Sequence, residues 1–184
     1  MQGMRRVVTG HDADGKSVFV SDAEVAPITF SMAPDGGFHL MWSADEVPTF
    51  PSDGIDPYDK GEARNFFPTG PGSFRFNIFT LPAQGSGAVL AELDPEAVAA
   101  EAEEKLPGIL SANHPDDPGM HTTDTVDLEV MLSGELTLEL DDGAEKVFRA
   151  GDIVIQNGTR HRWHNRSDQP AVLAAILIGG HPRG

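Results

Sequence analysis

Two histidines and one carboxylate in the second half of the chain are residue types that could do chemistry together. His121, Asp127 and His161 lie in a segment of predicted strands between Gly119 and Asn165. Two imidazoles and a carboxylate form the ligand set of an open, facial, non-haem metal site. If a small β-barrel aims all three into one cavity, the chain is a metal-binding pocket protein. If they do not converge, it is an acidic β-domain whose purpose the sequence does not reveal.

The predicted strand that carries Asp127 has two different faces. Side chains alternate across a strand, so one face is polar and the other, from Val126 to Leu132, is apolar. Alternation alone favours a half-exposed strand whose polar face meets water, as in most antiparallel sheets. The apolar face must then pack against another surface. The polar face reads Thr123, Thr125, Asp127, Glu129 and Met131.

The C-terminal part of the chain, residues 109–178, predicts many short strands. Asp141-Asp142-Gly143 is a strong signal for a tight hairpin, because glycine accepts a positive φ. Many short strands separated by turn residues indicate a β-sandwich or a β-barrel. We predict strands over residues 129–140, 146–148, 153–155, 160–165 and 171–178.

The N-terminal part predicts fewer strands, and a helix follows it. Short strands are expected at residues 18–20, 28–30, 38–42 and 73–81. Residues 43–72 carry five prolines and predict a long loop over the surface or over a pocket mouth. Asp94 is a suitable N-cap with Pro95 in the first helical position, and Pro107 and Gly108 end the helix. Its apolar stripe is narrow, so we expect it to be peripheral.

Two segments resemble the conserved motifs of the cupin superfamily. Gly151, Gly158, His161 and Asn165 follow the order of the second motif, with one residue fewer than usual between the two glycines.

The upstream segment, from residue 119 to Gly134, resembles the first cupin motif with two changes. His121 matches its first histidine, Asp127 stands at the glutamate position, and Thr123 replaces the second histidine. The resemblance covers roughly the last third of the chain.

The resemblance implies an all-β fold, the cupin double-stranded β-helix or jelly-roll barrel, with N-terminal strands and one peripheral helix. Residues 111–184 would form the cupin core. Residues 1–110 would cover the barrel or pair with a partner subunit, and the two parts together would make one structural domain. The short apolar runs and the apolar face of residues 126–132 predict a homodimer.

The resemblance also implies a site. His121, Asp127 and His161 would bind a divalent metal ion, which could be Fe, Zn, Mn or Ni. Because Thr123 stands at a ligand position, the pocket could instead be free of metal. Glu129 is the candidate catalytic residue for proton transfer, or a fourth ligand.

Three further side chains are predicted to contact the substrate: Trp163, Met131 and Thr123. The predicted function is a metal-dependent cupin enzyme of oxygenase, decarboxylase or isomerase/cyclase type that acts on a small organic molecule. The alternatives are a non-catalytic cupin that binds a small molecule and an inactive structural domain.

Composition excludes several other classes. The 184 residues include no cysteine, which excludes disulfides, thiolate metal sites and cysteine nucleophiles. The net charge of −16 repels phosphate backbones and anionic membranes, so we expect neither nucleic acid nor a membrane as partner. We recognise no signal peptide and no apolar run long enough to span a bilayer, which predicts a cytoplasmic protein.

Overall fold

The computed structural model describes residues 1–56, 65–86 and 93–181. These residues form eleven strands and one α-helix, so the predicted all-β class is confirmed. The strands are β1 Met4–His11, β2 Ser17–Val25, β3 Ile28–Phe30, β4 Ala33–Ala44, β5 Phe74–Leu81, β6 Thr125–Ser133, β7 Glu135–Glu139, β8 Glu145–Arg149, β9 Ile153–Asn157, β10 Arg162–His164 and β11 Ala171–Gly179, and the helix α1 is Pro95–Lys105.

Two antiparallel sheets pack against each other around a common core. One sheet has six strands in the order β3-β4-β5-β11-β6-β9, and the other has three in the order β10-β7-β8. The core cluster takes Met131 from β6, Leu136 from β7, and Ala171 and Leu173 from β11. N-terminal strands β4 and β5 therefore belong to the same sheet as the strands of the predicted cupin core.

A separate ribbon precedes the sheets. Strand β1 pairs with β2 in an antiparallel hairpin. No strand was predicted at β1 from the sequence, because Val7-Val8 is the only pair of consecutive apolar residues in this segment. Pairing with β2 stabilises an extended chain that local hydrophobicity does not indicate.

Strand β6 buries its polar face and exposes its apolar face. Asp127 and Glu129 are each 4% exposed, whereas Leu128 and Val130 are each 37% exposed. The expectation from alternation alone, a polar face in water, is therefore wrong. The polar face points inward because the two sheets enclose a cavity at this level.

The predicted strand over residues 129–140 is broken at Gly134, and its two halves lie in different sheets. Gly134 has φ +74°, and a Cβ at this position would lie 2.7 Å from the Ala171 Cα. Both the backbone conformation and the close approach of β11 require glycine. The predicted hairpin at residues 141–143 is confirmed between β7 and β8, with Gly143 at φ +72°.

The helix follows its prediction. The Asp94 side chain accepts a hydrogen bond from the Glu96 N–H, and Pro95 is the first helical residue. Glu101 and Lys105 form an i,i+4 ion pair at 2.7 Å. None of its residues is buried, so the helix is peripheral. No helix in the described ranges is long and apolar enough to cross a membrane.

Gly134 and Gly143, both at positive φ, make a matched pair for a stability test. Gly143→Ala meets open space and carries only the cost of left-handed backbone, about 1–2 kcal/mol. Gly134→Ala adds the contact with β11, so we expect a further loss of about 1–3 kcal/mol. Urea unfolding of both variants measures the difference. Equal losses would contradict a tight crossing at residue 134.

Candidate active site

Two histidines from separate segments are joined by reciprocal backbone hydrogen bonds. The N–H of His121 donates to the carbonyl oxygen of His161, and the N–H of His161 donates to that of His121, both at 3.0 Å. The ring centroids lie 4.1 Å apart at an interplanar angle of 51°. The two imidazoles, which are forty residues apart in sequence, therefore lie side by side as predicted.

In each imidazole, a backbone carbonyl oxygen holds the Nδ1 atom in place. The Nδ1 of His121 lies 3.1 Å from the Gly119 carbonyl oxygen, and the Nδ1 of His161 lies 2.9 Å from that of Thr159. A carbonyl oxygen only accepts, so Nδ1 carries the hydrogen and Nε2 keeps its lone pair. Burial lowers the pKa of both histidines, and the pKa of His161 falls to about 4, with His121 as the second cause. Both rings are therefore neutral at pH 7.

Ion pairs tie the two histidine segments together outside the cavity. Arg160 and Arg162 flank His161, and both contact Asp117, four residues before His121, at 2.5 Å and 3.1 Å. The arginines also bind acidic residues of the three-stranded sheet and its hairpin. These contacts hold the segments in the register that pairs the imidazoles.

The histidines line a cavity of about 220 Å³ between the sheets. Its wall is mainly apolar and is rich in aromatic rings, with a few polar groups that converge on one side, as is usual for small-molecule sites. The apolar lining is Phe38, Phe66, Phe67, Phe79, Leu81, Ile109, Trp163, Ala175 and Leu177, and the polar lining is Asn77, Asn113, His121, Thr123, Asp127, Glu129 and His161.

Two carboxyl groups from β6 share this cavity. Burial raises the pKa of Asp127 to about 6, although the nearby Thr125 hydroxyl acts to lower it. Burial raises the pKa of Glu129 to about 8, helped by the nearby charge of Asp127. The indole N–H of Trp163 opposes the rise in the pKa of Glu129. Trp163 Nε1 and Glu129 Oε2 nevertheless both lack a partner within hydrogen-bond geometry. At pH 7 Asp127 is ionised and Glu129 holds a proton.

Several cavity side chains have buried polar atoms without a hydrogen-bond partner. They are Asp127 Oδ1, Glu129 Oε2, Trp163 Nε1 and both Oδ1 and Nδ2 of Asn77. An unpaired buried polar group costs stability, so a cluster of such groups indicates a place for a polar ligand. Asn77 was not predicted as a site residue from the sequence. A polar amide between Arg75 and Phe79 on one face of an apolar strand was the available signal.

The predicted metal ligands share the cavity but do not form a closed ligand set. Among the described residues, the ligand atoms of His121, Asp127 and His161 are not found all within 4.8 Å of one another. The paired Nε2 lone pairs suit a divalent ion. The Asp127 carboxylate does not complete the set in its present position. A metal ion bound by all three residues would require this carboxylate to move toward the imidazoles.

The other predicted site residues lie at different depths. Thr123 lines the cavity and accepts a hydrogen bond from the Thr125 hydroxyl at 2.7 Å. Trp163 lines it as well and packs edge-on against Phe148, 5.9 Å between centroids. Met131 is 1% exposed in the core cluster and is absent from the cavity wall, so its position does not support the predicted substrate contact.

One group of possible ligands does converge, outside the cavity. Glu139, Glu145 and His164 have ligand atoms within 4.8 Å of one another. Arginines occupy them: Arg162 binds Glu139 at 2.9 Å, and Arg166 binds Glu145 at 2.5 Å. His164 Nε2 also lies 2.5 Å from Glu139. The group is an ion-pair network that links the three strands of the smaller sheet.

Known proteins resemble this chain in sequence and in fold. The family described as Cupin domain matches residues 114–178. Phomopsin biosynthesis cluster protein D of Diaporthe leptostromiformis is 33% identical over 88% of this chain and 70% of its own. The cupin-domain-containing oxidoreductase fogC of Aspergillus ruber is 28% identical over 96% and 72%. The polyketide cyclase RemF from Streptomyces resistomycificus overlays 86% of this chain and 77% of its own, with 12% identity and a TM-score of 0.44.

The raised pKa of Glu129 gives the stability a pH dependence. Between pH 6.5 and 8 the folded protein keeps a proton on Glu129 that the unfolded chain has released, so the free energy of unfolding falls as pH rises. The lowered pKa of His161 acts in the opposite sense, but only below pH 6.5.

We expect a loss of about 1–2 kcal/mol across this window, abolished in Glu129→Gln. Urea unfolding at pH 6.5, 7.2 and 8.0 measures it. Glu104→Gln, on the exposed side of the helix, controls for the removal of one carboxylate. A Glu129→Gln curve parallel to that of the wild type would show that Glu129 is ionised throughout.

Proposed function

Because the chain belongs to the cupin superfamily, we propose that it is an enzyme that converts a small, mainly apolar organic molecule inside the barrel. The observation that supports this proposal is the convergence of unpaired polar atoms on one aromatic cavity of about 220 Å³. A purely structural domain gains nothing from two buried carboxyl groups whose polar atoms lack partners.

The geometry favours acid–base chemistry at a carbon next to a carbonyl group. Asp127 and Glu129 lie two residues apart on the inward face of β6 and hold different protonation states near pH 7. Such a pair supplies a base and an acid in one site. The Asp127 carboxylate would take the carbon-bound proton while the Glu129 hydroxyl gives its proton to the carbonyl oxygen. Asp127 would then return its proton to another carbon of a conjugated enol while Glu129 takes back the proton of the enol hydroxyl, which gives an isomer and restores both groups.

Neutral imidazoles would assist by accepting hydrogen bonds at Nε2. His121 and His161 keep their Nδ1 hydrogens on backbone carbonyls, so they cannot rotate their lone pairs away without losing those bonds. A hydroxyl group of the substrate would be oriented between the two rings. This fixed orientation lowers the entropy cost of reaching the reactive geometry.

A metal-dependent oxidoreductase is the second candidate. Relatives at 24–28% identity are described as cupin-domain-containing oxidoreductases, and the paired Nε2 lone pairs suit an ion such as Fe, Zn, Mn or Ni. This candidate requires the Asp127 carboxylate to move toward the imidazoles. A binding protein without turnover is the remaining alternative.

Proton exchange on an enolisable aromatic ketone tests the acid–base proposal without knowledge of the natural substrate. We expect the protein to accelerate deuterium uptake at the α-carbons of 2-tetralone in D₂O at pH 7, followed by NMR. Asp127→Asn and Glu129→Gln should each lower the rate about 100-fold or more, because general acid–base groups contribute on that scale. Glu104→Gln, far from the cavity on α1, should keep the wild-type rate.

The same assay separates the candidates. Exchange that survives dialysis against EDTA supports acid–base chemistry by the protein alone. Exchange that needs added Fe, Zn, Mn or Ni and is lost in His161→Ala supports the metal-dependent enzyme instead. No exchange above the buffer rate under any of these conditions contradicts the acid–base proposal.

We also propose that two copies of the chain associate through the outer face of β11-β6-β9. Aliphatic side chains between 37% and 64% exposed cover this face, and contiguous apolar patches of this kind mark interfaces. The chain has a net charge of −16, but the patch carries no charged side chain. Two identical patches can therefore meet without electrostatic repulsion between their own side chains. Its members are Val126, Leu128, Val130, Leu132, Ile153, Ile155, Ile176 and Ile178.

Light scattering at micromolar concentration tests the association. The wild type should be a dimer, and Leu128→Glu combined with Ile155→Glu should be a monomer, because four acidic groups would be buried in the interface. Val147→Glu, an exposed aliphatic of the smaller sheet, is the control and should remain a dimer. A monomeric wild type contradicts the proposal.

A further inference from the structure

Asn77 is buried deeply and has no partner. It is 1% exposed, it lines the cavity from β5, and neither of its side-chain polar atoms makes a hydrogen bond. A buried amide without partners costs about 1–3 kcal/mol for each unsatisfied group. The proposed acid–base pair, which lies on β6, does not use it.

The sheet register places Asn77 opposite Glu129 across a single small residue. Ala175 of β11 pairs with Asn77 of β5 on one side and with Glu129 of β6 on the other. All three line the cavity, so their side chains point the same way. Neighbouring strands lie about 4.8 Å apart, which puts the outer two backbones roughly 10 Å apart. The Ala175 methyl leaves a gap between two polar side chains.

The gap suits one polar oxygen. The Asn77 amide offers both a donor and an acceptor, and the Glu129 carboxyl group has a buried oxygen without a partner. A hydroxyl or carbonyl oxygen above Ala175 would be reached from both sides.

Aromatic rings line the same cavity. Phe79 follows Asn77 on the inward face of β5 and lies 5.8 Å from Phe38, which lies 5.1 Å from Phe66. Trp163 lines the cavity from the smaller sheet. These faces match a flat, conjugated ring.

The charge of the wall selects against anions. No lysine or arginine occurs among the described residues that line the cavity, whereas two carboxyl groups do. A ligand carboxylate would enter a low-dielectric site without a cationic partner, at a large desolvation cost.

We propose that Asn77 is a specificity-determining residue that binds, with Glu129 and across Ala175, the hydroxyl or carbonyl oxygen of a neutral aromatic substrate. This assignment names the substrate class of the proposed enzyme and so rests on the proposed function of the same cavity. It excludes aromatic carboxylates.

Three matched probes test the assignment by calorimetry at pH 7: p-cresol, p-xylene and p-toluate. They differ only in a hydroxyl, a methyl or a carboxylate group on one ring. We expect the wild type to bind p-cresol roughly tenfold more tightly than p-xylene, the worth of about one good hydrogen bond, and to bind p-toluate most weakly. Asn77→Leu should bring the ratio of p-cresol to p-xylene affinity near one while p-xylene binding persists.

Stability measurements keep the test independent of misfolding. Leucine has a similar size to asparagine and leaves no unpaired amide, so Asn77→Leu should raise the melting temperature of the ligand-free protein. Asn77→Ala is the second variant and should lose the same selectivity. Asn157→Leu, an exposed position on β9, should keep it.

Two results would overturn the assignment: tightest binding of p-toluate, or unchanged selectivity in both Asn77 variants. Failure of the proposed function is distinguishable from these results. Probe selectivity that depends on Asn77, together with no exchange of 2-tetralone, contradicts only the acid–base enzyme. Exchange of 2-tetralone without such selectivity contradicts only the role of Asn77.

Discussion

The site depends on two backbone hydrogen bonds between His121 and His161. Each residue donates its N–H to the other's carbonyl oxygen at 3.0 Å, which fixes two distant segments side by side. Their Nδ1 hydrogens then face the carbonyl oxygens of Gly119 and Thr159. Since both donors are used locally, both Nε2 lone pairs remain for a ligand. Backbone geometry thus sets the orientation and tautomer of the rings before any ligand arrives.

A second constraint is the reversed burial of β6. The strand buries Asp127 and Glu129 in the cavity and leaves Leu128 and Val130 half exposed. For a monomeric domain this arrangement is costly on both faces, because carboxyl groups lose hydration and aliphatic groups stay in water. The proposed ligand would pair the unsatisfied polar atoms of the inner face. The proposed second copy of the chain would cover the outer face.

Sequence patterns predicted the fold more fully than the site. Strand signals and the two motifs predicted β3, β5, β9 and β11 closely, and they brought His121 and His161 together. Local hydrophobicity missed β1, which pairing with β2 stabilises, and it ran β6 and β7 together across Gly134. That break depends on the close approach of β11, a contact between residues far apart in sequence.

The geometry of the site depends on distances that the spacing of residues along the sequence does not determine. Motif positions placed Asp127 beside the imidazoles, but the reach of a side chain depends on one methylene and on the backbone beneath it. Asn77 belongs to neither motif, and only the register of β5, β11 and β6 sets it in line with Glu129. Met131 shares a strand face with Glu129, yet it lies in the core cluster and not in the cavity wall.

The protonation of the two imidazoles is the most direct test of this account. Long-range ¹H–¹⁵N NMR spectra of the ligand-free, metal-free protein at pH 7.5 assign the hydrogen of each ring. We expect His121 and His161 both to be neutral and both to carry the hydrogen on Nδ1. An imidazolium at either residue, or a hydrogen on either Nε2, would contradict it.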